Sequence, residues 1–422
     1  MKGLFFINFM VILSCFSVAS GILYNYVVQG GRGKKLALLL SGCCALGAGE
    51  LYLYSRAFPD GAGSIGLTVL HTGALVSVSW FLAFLLAFPV LLILAAGVFL
   101  YRLKWRVRPA VPAAGGAAEL HRGPSMSRRT FLKGMAAAVP VTAAATSGLG
   151  DVIGESYLAV TKLPLSFPHL PDYLEGYRIG QISDTHIGLF FSPEDLKTAM
   201  ERLAEEKVNR LEITGDLIDE LSRLPQCRQV LADGAALFPD GIDFCYGNHE
   251  YYRGLADITD MLETTPVRIV RNSHFCASPG RGQNLSGRSG RDGRPFYIAG
   301  TDFSFAPSGH LHDEQRREYT QQALDGIPED AFTILLAHNS AFIDEGFAHR
   351  IPLTMCGHTH GAQFAPIGPL VQAVGFKYLR GLFKKDGSYG YVNRGTGHWL
   401  PFRVLCSREV TVYELQKKTV II

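Results

Sequence analysis

The chain has 422 residues, enough for two or three domains, and a formal net charge of +3. So small a charge does not indicate a nucleic-acid-binding protein, and no nucleic-acid binding is expected. Charge is also unevenly distributed, because residues 1–101 contain only seven acidic or basic side chains. We therefore expect a membrane-embedded amino-terminal region followed by a soluble one.

Three apolar stretches, residues 4–28, 36–55 and 61–101, make up the first region. Each has at least the ~20 residues that a helix needs to cross a bilayer. We predict an all-α transmembrane region over residues 1–103, with three spans. Basic residues are concentrated in the first loop and after residue 101, so the positive-inside rule places both segments in the cytoplasm. These features predict a multi-pass protein of the bacterial cytoplasmic membrane.

Residues 104–159 are predicted to be a linker that contains an export signal. A stretch rich in proline, alanine and glycine precedes the letters Ser-Arg-Arg-Thr-Phe-Leu-Lys at 127–133, and a mildly apolar run follows. This segment resembles a bacterial twin-arginine signal, which implies the twin-arginine export machinery as a partner. The next domain would then lie outside the cytoplasm. A basic patch beside a short helix is the alternative, and residues 143–145 are a weak candidate cleavage site.

Residues 160–422 alternate short apolar runs with helical stretches, which predicts an α/β fold with a largely parallel sheet. The strand count fits two packed sheets flanked by helices, an αββα sandwich. Helices are predicted at 194–208, 225–237, 254–264 and 314–323. Strands are predicted at 177–183, 211–214, 243–246, 267–270, 296–299, 333–337, 353–356, 389–393 and 410–415. The cysteines show no C-x-x-C spacing, and we expect Cys245 and Cys356 to be buried core thiols.

Five short motifs each follow a predicted strand. They are Asp184-Thr-His186, Gly215-Asp216, Gly247-Asn248-His249-Glu250, His338 and Gly357-His358-Thr-His360. Because ligands gather at the carboxyl ends of strands in such folds, we expect the motifs to lie together. Their oxygen and imidazole donors suit two divalent cations, with manganese, iron or zinc favoured over calcium. The three glycines allow sharp turns and close backbone approach.

Taken in this order, the motifs resemble those of the calcineurin-like metallophosphoesterase superfamily, over roughly residues 176–416. The resemblance implies two metal sites with one shared ligand. The first metal would be held by Asp184, His186 and His360, the second by Asn248, His338 and His358, and Asp216 would bridge them.

The resemblance also implies a reaction, the hydrolysis of phosphoesters by a hydroxide that bridges the two metals. His249 would stabilise the transition state or protonate the leaving oxygen, and Glu250 would orient the His249 ring. The alternative for His249 is a purely structural turn residue.

The whole arrangement resembles a membrane-associated bacterial branch with a twin-arginine signal or transmembrane segments before this domain. Similar patterns occur at 298–302, at 392–395 and at 401–403. Members are described as phosphodiesterases, so the substrate would be a lipid-, nucleotide- or cell-wall-linked phosphoester. The alternatives are a UDP-diacylglucosamine pyrophosphohydrolase and a non-catalytic metal-binding membrane sensor. The arginine- and glycine-rich stretch 279–295 departs from the branch and is expected to be a surface loop. Residues 376–385 are either amphipathic at the membrane or half-buried.

Overall fold

A computed structural model describes residues 14–15, 17–27, 42, 45–47, 49, 65–106, 139, 142, 145, 157–277, 294–306, 309–363, 365, 368–398 and 403–418. The chain divides into two compact units, Met1–Val152 and Ile153–Ile422. The second unit contains all the predicted strands and the five motifs.

Among the described residues of the first unit, the longest element is helix α1, Ile65–Arg106, which contains Pro89. Many of its side chains fall outside the described set. Ala83, Ala87 and Leu91 on α1 pack against Leu23 and Tyr24. Over the residues that the structure describes, no helix has both the length and the apolar character of a membrane span. The predicted all-α region of three spans is therefore not supported, and stretch 36–55 and the twin-arginine-like segment lie mostly or wholly outside the described residues.

Six strands of the second unit form the first sheet, in the order β1, β12, β2, β3, β4, β5. Strands β2 to β5 run parallel, while β12 is antiparallel to β2 and parallel to β1. The strands are β1 Leu158–Phe167, β2 Arg178–Ile182, β3 Arg210–Thr214, β4 Ile242–Cys245, β5 Val267–Ile269 and β12 Arg408–Lys417.

The second sheet also has six strands, in the order β10, β11, β9, β8, β7, β6. The four inner strands run parallel, and the two edge strands are antiparallel to their neighbours. The strands are β6 Ser273–Ala277, β7 Phe296–Gly300, β8 Phe332–Leu336, β9 Leu353–Cys356, β10 Gly381–Lys385 and β11 Ser388–Val392.

Seven α-helices accompany the sheets in the described part of this unit. They are α2 Pro193–Glu205, α3 Leu224–Gly234, α4 Asn248–Arg253, α5 Leu255–Glu263, α6 His310–Leu324, α7 Ile343–Ala348 and α8 Gly368–Val374. Helix α2 begins where Ser192 caps it by accepting a hydrogen bond from the Asp195 N–H. Its buried positions recur at helical spacing and face the first sheet, where a fully buried leucine contributes about 1.5–3 kcal/mol.

The two sheets pack face to face around a shared apolar core. Ile179 and Leu415 from the first sheet join Ile298, Ile334 and Met355 from the second in one cluster of buried side chains. The prediction of an α/β fold with two sheets and flanking helices is confirmed, as is the burial of both expected core thiols.

Strands β1, β6 and β10 and helices α4, α7 and α8 were not predicted. Residues 376–385 end in edge strand β10, with Tyr378 and Leu379 buried, which fits the half-buried interpretation. Most of stretch 279–295 lies outside the described residues.

Candidate metal centre

The motifs meet because the carboxyl ends of the parallel strands in both sheets lie on the same side of the sandwich. Asp184 and Asp216 follow the neighbouring strands β2 and β3, and Asn248 begins α4 after β4. His338 and His358 follow β8 and β9 of the second sheet. The sequence motifs are therefore assembled at one place, as the position of ligand sites in α/β folds predicts.

The backbone of the motif loops is unusual. Five candidate ligands have positive φ angles, namely Asp184 (53°), His186 (49°), Asp216 (53°), His358 (74°) and His360 (49°). Non-glycine residues rarely adopt this left-handed conformation, and such strain is concentrated at functional sites. The surrounding fold therefore holds these side chains in positions that a free chain would avoid.

One group of donors consists of Asp184, His186 and His360, whose ligating atoms all lie within 4.8 Å of one another. The Nε2 atoms of His186 and His360 are 3.0 Å apart, and His360 Nε2 lies 3.5 Å from Asp184 Oδ1. A carboxylate and two imidazoles converging on one point form a ligand set that suits a first-row transition metal.

A second group consists of Asp216, His338 and His358, with the same 4.8 Å spread. His338 Nε2 lies 3.1 Å from Asp216 Oδ2 and 3.2 Å from His358 Nδ1. His338 Nδ1 donates to the Thr214 carbonyl at 2.6 Å. Because a carbonyl only accepts, Nδ1 carries a proton, and in the neutral ring Nε2 keeps its lone pair for a metal.

Asp216 lies between the two groups. Its Oδ2 atom is 3.1 Å from His338 Nε2 of the second group and 3.7 Å from His186 Nε2 of the first. One carboxylate oxygen is therefore adjacent to donors of both groups.

Asn248 provides a test of whether these residues fit a cation. Its side chain is buried, and its Oδ1 atom has no hydrogen-bond partner. A buried acceptor left unpaired costs about 1–3 kcal/mol. A cation held beside Asp216 and His338 would satisfy it, so the donor set fits a divalent ion.

Burial and neighbouring charges set the protonation states of the candidate ligands. Burial alone would raise the pKa of the Asp216 carboxyl, but His338 and His249 hold that pKa far below its ordinary range. Burial and the neighbouring His338 lower the pKa of His358 to about 3. Burial would also lower the pKa of His338, but the Asp216 and Asp184 carboxylates raise it to about 10. Asp216 is therefore ionised and His358 neutral, while a cation would displace a proton from His338.

Asp219 lies outside the sequence motifs and contacts two histidines of the site. Its Oδ1 atom lies 2.6 Å from His249 Nδ1 and 3.3 Å from His186 Nδ1, and its Oδ2 accepts from Arg253 Nη2 at 3.1 Å. Burial would raise the pKa of Asp219, but His186 and His249 hold it well below its usual value. Asp219 therefore stays ionised and fixes both rings through Nδ1.

Glu250 has a different position from the one expected. It is fully buried and accepts hydrogen bonds from the backbone N–H groups of Asp216, Leu217 and Gly247, at 3.0, 2.7 and 2.7 Å. It therefore ties the loop after β3 to the loop after β4. The carboxylate at the His249 ring is Asp219 and not Glu250.

The motif glycines allow the loops to approach closely, as predicted. Gly215 has a φ of 81°, and a Cβ added there would lie 2.6 Å from the Gly247 nitrogen. A Cβ on Gly247 would overlap the Asp216 carboxylate, and one on Gly357 would overlap Ser183 and Asp184. A side chain at Gly247 or Gly357 would thus push directly on a ligand or its neighbour.

The chain is similar to known metallophosphoesterases. The family model for calcineurin-like phosphoesterases matches residues 177–362, which include all five motifs. The chain is 29% identical over 303 residues to YkuE, an uncharacterized metallophosphoesterase of Bacillus subtilis, covering 69% of this chain and 98% of the relative. It is 24% identical over 311 residues to phosphodiesterase YaeI of Escherichia coli, covering 69% and 99%.

An uncharacterized metallophosphoesterase of Helicobacter pylori is 31% identical over 241 residues, covering 56% of this chain and 59% of the relative. The chain thus spans little more than half the length of that protein. Residues 177–362 match a calcineurin-like phosphoesterase domain, and these similarities identify the chain as a metal-dependent phosphoester hydrolase.

Proposed function

We propose that this metal-dependent phosphoester hydrolase is a phosphodiesterase with two divalent cations, which are manganese, iron or zinc. The observation that carries the proposal is the position of Asp216 Oδ2, at 3.1 Å from His338 Nε2 and 3.7 Å from His186 Nε2. Paired cations about 3.5–4 Å apart need such a shared ligand. Action on diesters is supported by the similarity to a protein named as a phosphodiesterase.

In this proposal the two donor groups would hold one cation each, and Asn248 would complete the second site. When bound, the cations would lower the pKa of water and neutralise charge on the phosphoryl oxygens.

The side chain of His249 is 16% exposed at the edge of the centre, whereas that of His186 is 2% exposed. Because Asp219 holds His249 by Nδ1, Nε2 is the atom that gives a proton to the leaving oxygen.

The direct test uses the full-length chain, purified in detergent without metal and then reconstituted with manganese. We expect manganese-dependent hydrolysis of bis(4-nitrophenyl) phosphate, with 4-nitrophenyl phosphate the poorer substrate. His249→Ala should lower kcat by about 10²–10⁴-fold, the usual contribution of a general acid, without loss of metal. His349→Ala, at an exposed histidine after α7, is the matched control and should change little. Absence of metal-dependent turnover, or full activity of Asp216→Ala, would contradict the proposal.

We also propose that the domain acts outside the cytoplasmic membrane, on lipid-, nucleotide- or cell-wall-linked phosphodiesters. Support comes from the sequence alone, through Arg128 and Arg129 and the basic segments beside the apolar stretches. A carboxyl-terminal alkaline phosphatase fusion should be active, and a green fluorescent protein fusion should fluoresce outside the cytoplasm. Replacing Arg128 and Arg129 by lysine should reduce both the phosphatase activity and the exported fluorescence. A domain found in the cytoplasm would instead favour a pyrophosphohydrolase of sugar-nucleotide lipids, since that substrate is cytoplasmic.

A further inference from the structure

Two large aromatic side chains are exposed at the edge of the metal centre that His249 occupies. Tyr252 is 61% exposed and Phe305 is 47% exposed. The ring of Tyr252 lies 5.7 Å from the His249 ring and 5.8 Å from the Phe305 ring, measured between centroids. The exposed rings are therefore continuous with the imidazole that the proposed function assigns to the leaving group.

Two further rings support this exposed pair. Phe305 packs against Tyr251 at 5.0 Å and against Phe303 at 4.9 Å. Phe303 is buried, and its ring lies 5.3 Å from that of His358. The aromatic arc, as we define it, consists of Tyr251, Tyr252, Phe303 and Phe305. It runs along one side of the metal centre, from His249 to His358.

Hydrogen bonds fix the supporting part of the arc. The Tyr251 hydroxyl donates to Asp302 Oδ2 at 2.7 Å, and Arg271 Nη2 donates to the same hydroxyl at 3.0 Å. Asp302 Oδ1 accepts from the Phe303 N–H at 2.8 Å. The supporting rings are therefore held in place before a ligand binds, and Phe305 packs on both of them, which favours affinity.

The geometry of the rings indicates what they bind. Neighbouring rings meet at interplanar angles of 61° to 74°, so they pack edge to face and do not cover one another's faces fully. Exposed aromatic faces stack on planar groups, and this interaction needs no matching hydrogen bonds. The exposed part of the aromatic arc consists of two rings, Tyr252 and Phe305. A surface of two rings suits one planar group better than a long acyl chain.

We propose that the aromatic arc is the leaving-group subsite, and that it selects phosphodiesters whose leaving group carries a planar ring, such as an aryl group or a nucleobase. This inference rests on the proposed function, because it takes His249 as the residue that protonates the leaving oxygen. It goes beyond that function by defining the substrate class.

The test measures binding, so that it does not depend on turnover. The full-length protein loaded with manganese is titrated calorimetrically with phenylphosphonate, methylphosphonate and butylphosphonate. Base stacking on an aromatic side chain corresponds to roughly 5- to 150-fold in affinity, so phenylphosphonate should bind that much more tightly than methylphosphonate. Butylphosphonate should resemble methylphosphonate. Comparing uridine 5′-monophosphate with ribose 5-phosphate tells whether a nucleobase is accepted as well as an aryl ring.

Variants of the two exposed rings test whether the aromatic arc causes the preference for phenylphosphonate over methylphosphonate. Phe305→Ala and Tyr252→Ala should each remove most of the preference for phenylphosphonate, and Phe305→Leu should do the same because it keeps apolar area without a ring. Methylphosphonate affinity should stay within about twofold of wild type, since single exposed-surface changes leave the metal centre intact. Tyr157→Ala, at a tyrosine 58% exposed before β1, is the control and should keep the preference.

Four results would overturn the inference. They are failure of phenylphosphonate to bind, equal affinity for phenyl- and methylphosphonate, an unchanged preference in both alanine variants, and butylphosphonate binding as tightly as phenylphosphonate. Failure of the proposed function is a separate result, the absence of manganese-dependent hydrolysis of bis(4-nitrophenyl) phosphate.

Discussion

Asp219 is the carboxylate shared by two histidines of the metal centre, so Asp219→Asn should slow the reaction without emptying the centre. Its Oδ1 atom lies 2.6 Å from His249 Nδ1 and 3.3 Å from His186 Nδ1. Asparagine has the same size and its Oδ1 atom can still accept hydrogen bonds from the two rings, but it carries no charge. Hydrogen bonds to charged groups contribute about 1.5–3 kcal/mol, against about 0.5–1.5 kcal/mol for neutral ones. The difference is about 1–1.5 kcal/mol per contact, so over the two contacts the loss is about 2–3 kcal/mol, which lowers kcat about 30- to 150-fold.

The assay is steady-state hydrolysis of bis(4-nitrophenyl) phosphate at saturating manganese, with metal content measured on the same samples. Asp344→Asn is the matched control, because that half-exposed carboxylate pairs with Lys377 and lies outside both donor groups. Its kcat should stay within about twofold of wild type, as is usual for surface changes. A kcat for Asp219→Asn within twofold of wild type would refute the positioning role. Loss of the metals from that variant would mean that Asp219 acts on the ligands and not on the proton donor.

Three further results follow from the site and the core. Gly247→Ala should cost about 1–3 kcal/mol in unfolding free energy and reduce metal content, because the new methyl group overlaps the Asp216 carboxylate; thermal unfolding with and without manganese measures both. Burial, together with the nearby Asp243, raises the pKa of Glu212 well above 4.5, so the folded state holds this proton more tightly than the unfolded state and wild-type stability falls as pH rises above that value. Glu212→Gln should therefore be more stable than wild type at pH 8 in chemical denaturation, with the gap closing toward pH 4. Because the pKa of His338 in the metal-free protein is about 10, its proton competes with metal, and calorimetry should find manganese affinity rising by up to about tenfold per pH unit from pH 7 toward pH 9.

The central strands could be predicted from the sequence because they are short, apolar and followed by polar motifs. The edge strands could not. Strand β6 has one buried residue of five and β10 has none, so neither shows the run of apolar residues that marks an inner strand. Strand β1 pairs with β12, about 250 residues along the chain, and its first residues alternate only weakly in burial. These three strands are recognised only from the strands with which they pair, and a local sequence pattern does not show that pairing.

The site was predictable to the extent that its residues occur in motifs. Asp219 lies in the run Leu-Ile-Asp after Gly215-Asp216, and nothing in that run distinguishes it from an ordinary loop aspartate. It reaches His249 only because β3 and β4 are parallel neighbours and bring their following loops together. The tertiary fold also overrides the local preference against left-handed backbone at Asp184 and His186.

The most direct test of the account is the number of metal ions bound by the full-length protein after loading with manganese and removal of excess. The shared position of Asp216 Oδ2 predicts two ions per chain in the wild type, measured by plasma mass spectrometry. Asp216→Ala should hold one or fewer, because both sites lose a ligand. No tightly bound ion in the wild type, or two ions still bound in Asp216→Ala, would contradict a paired-metal centre.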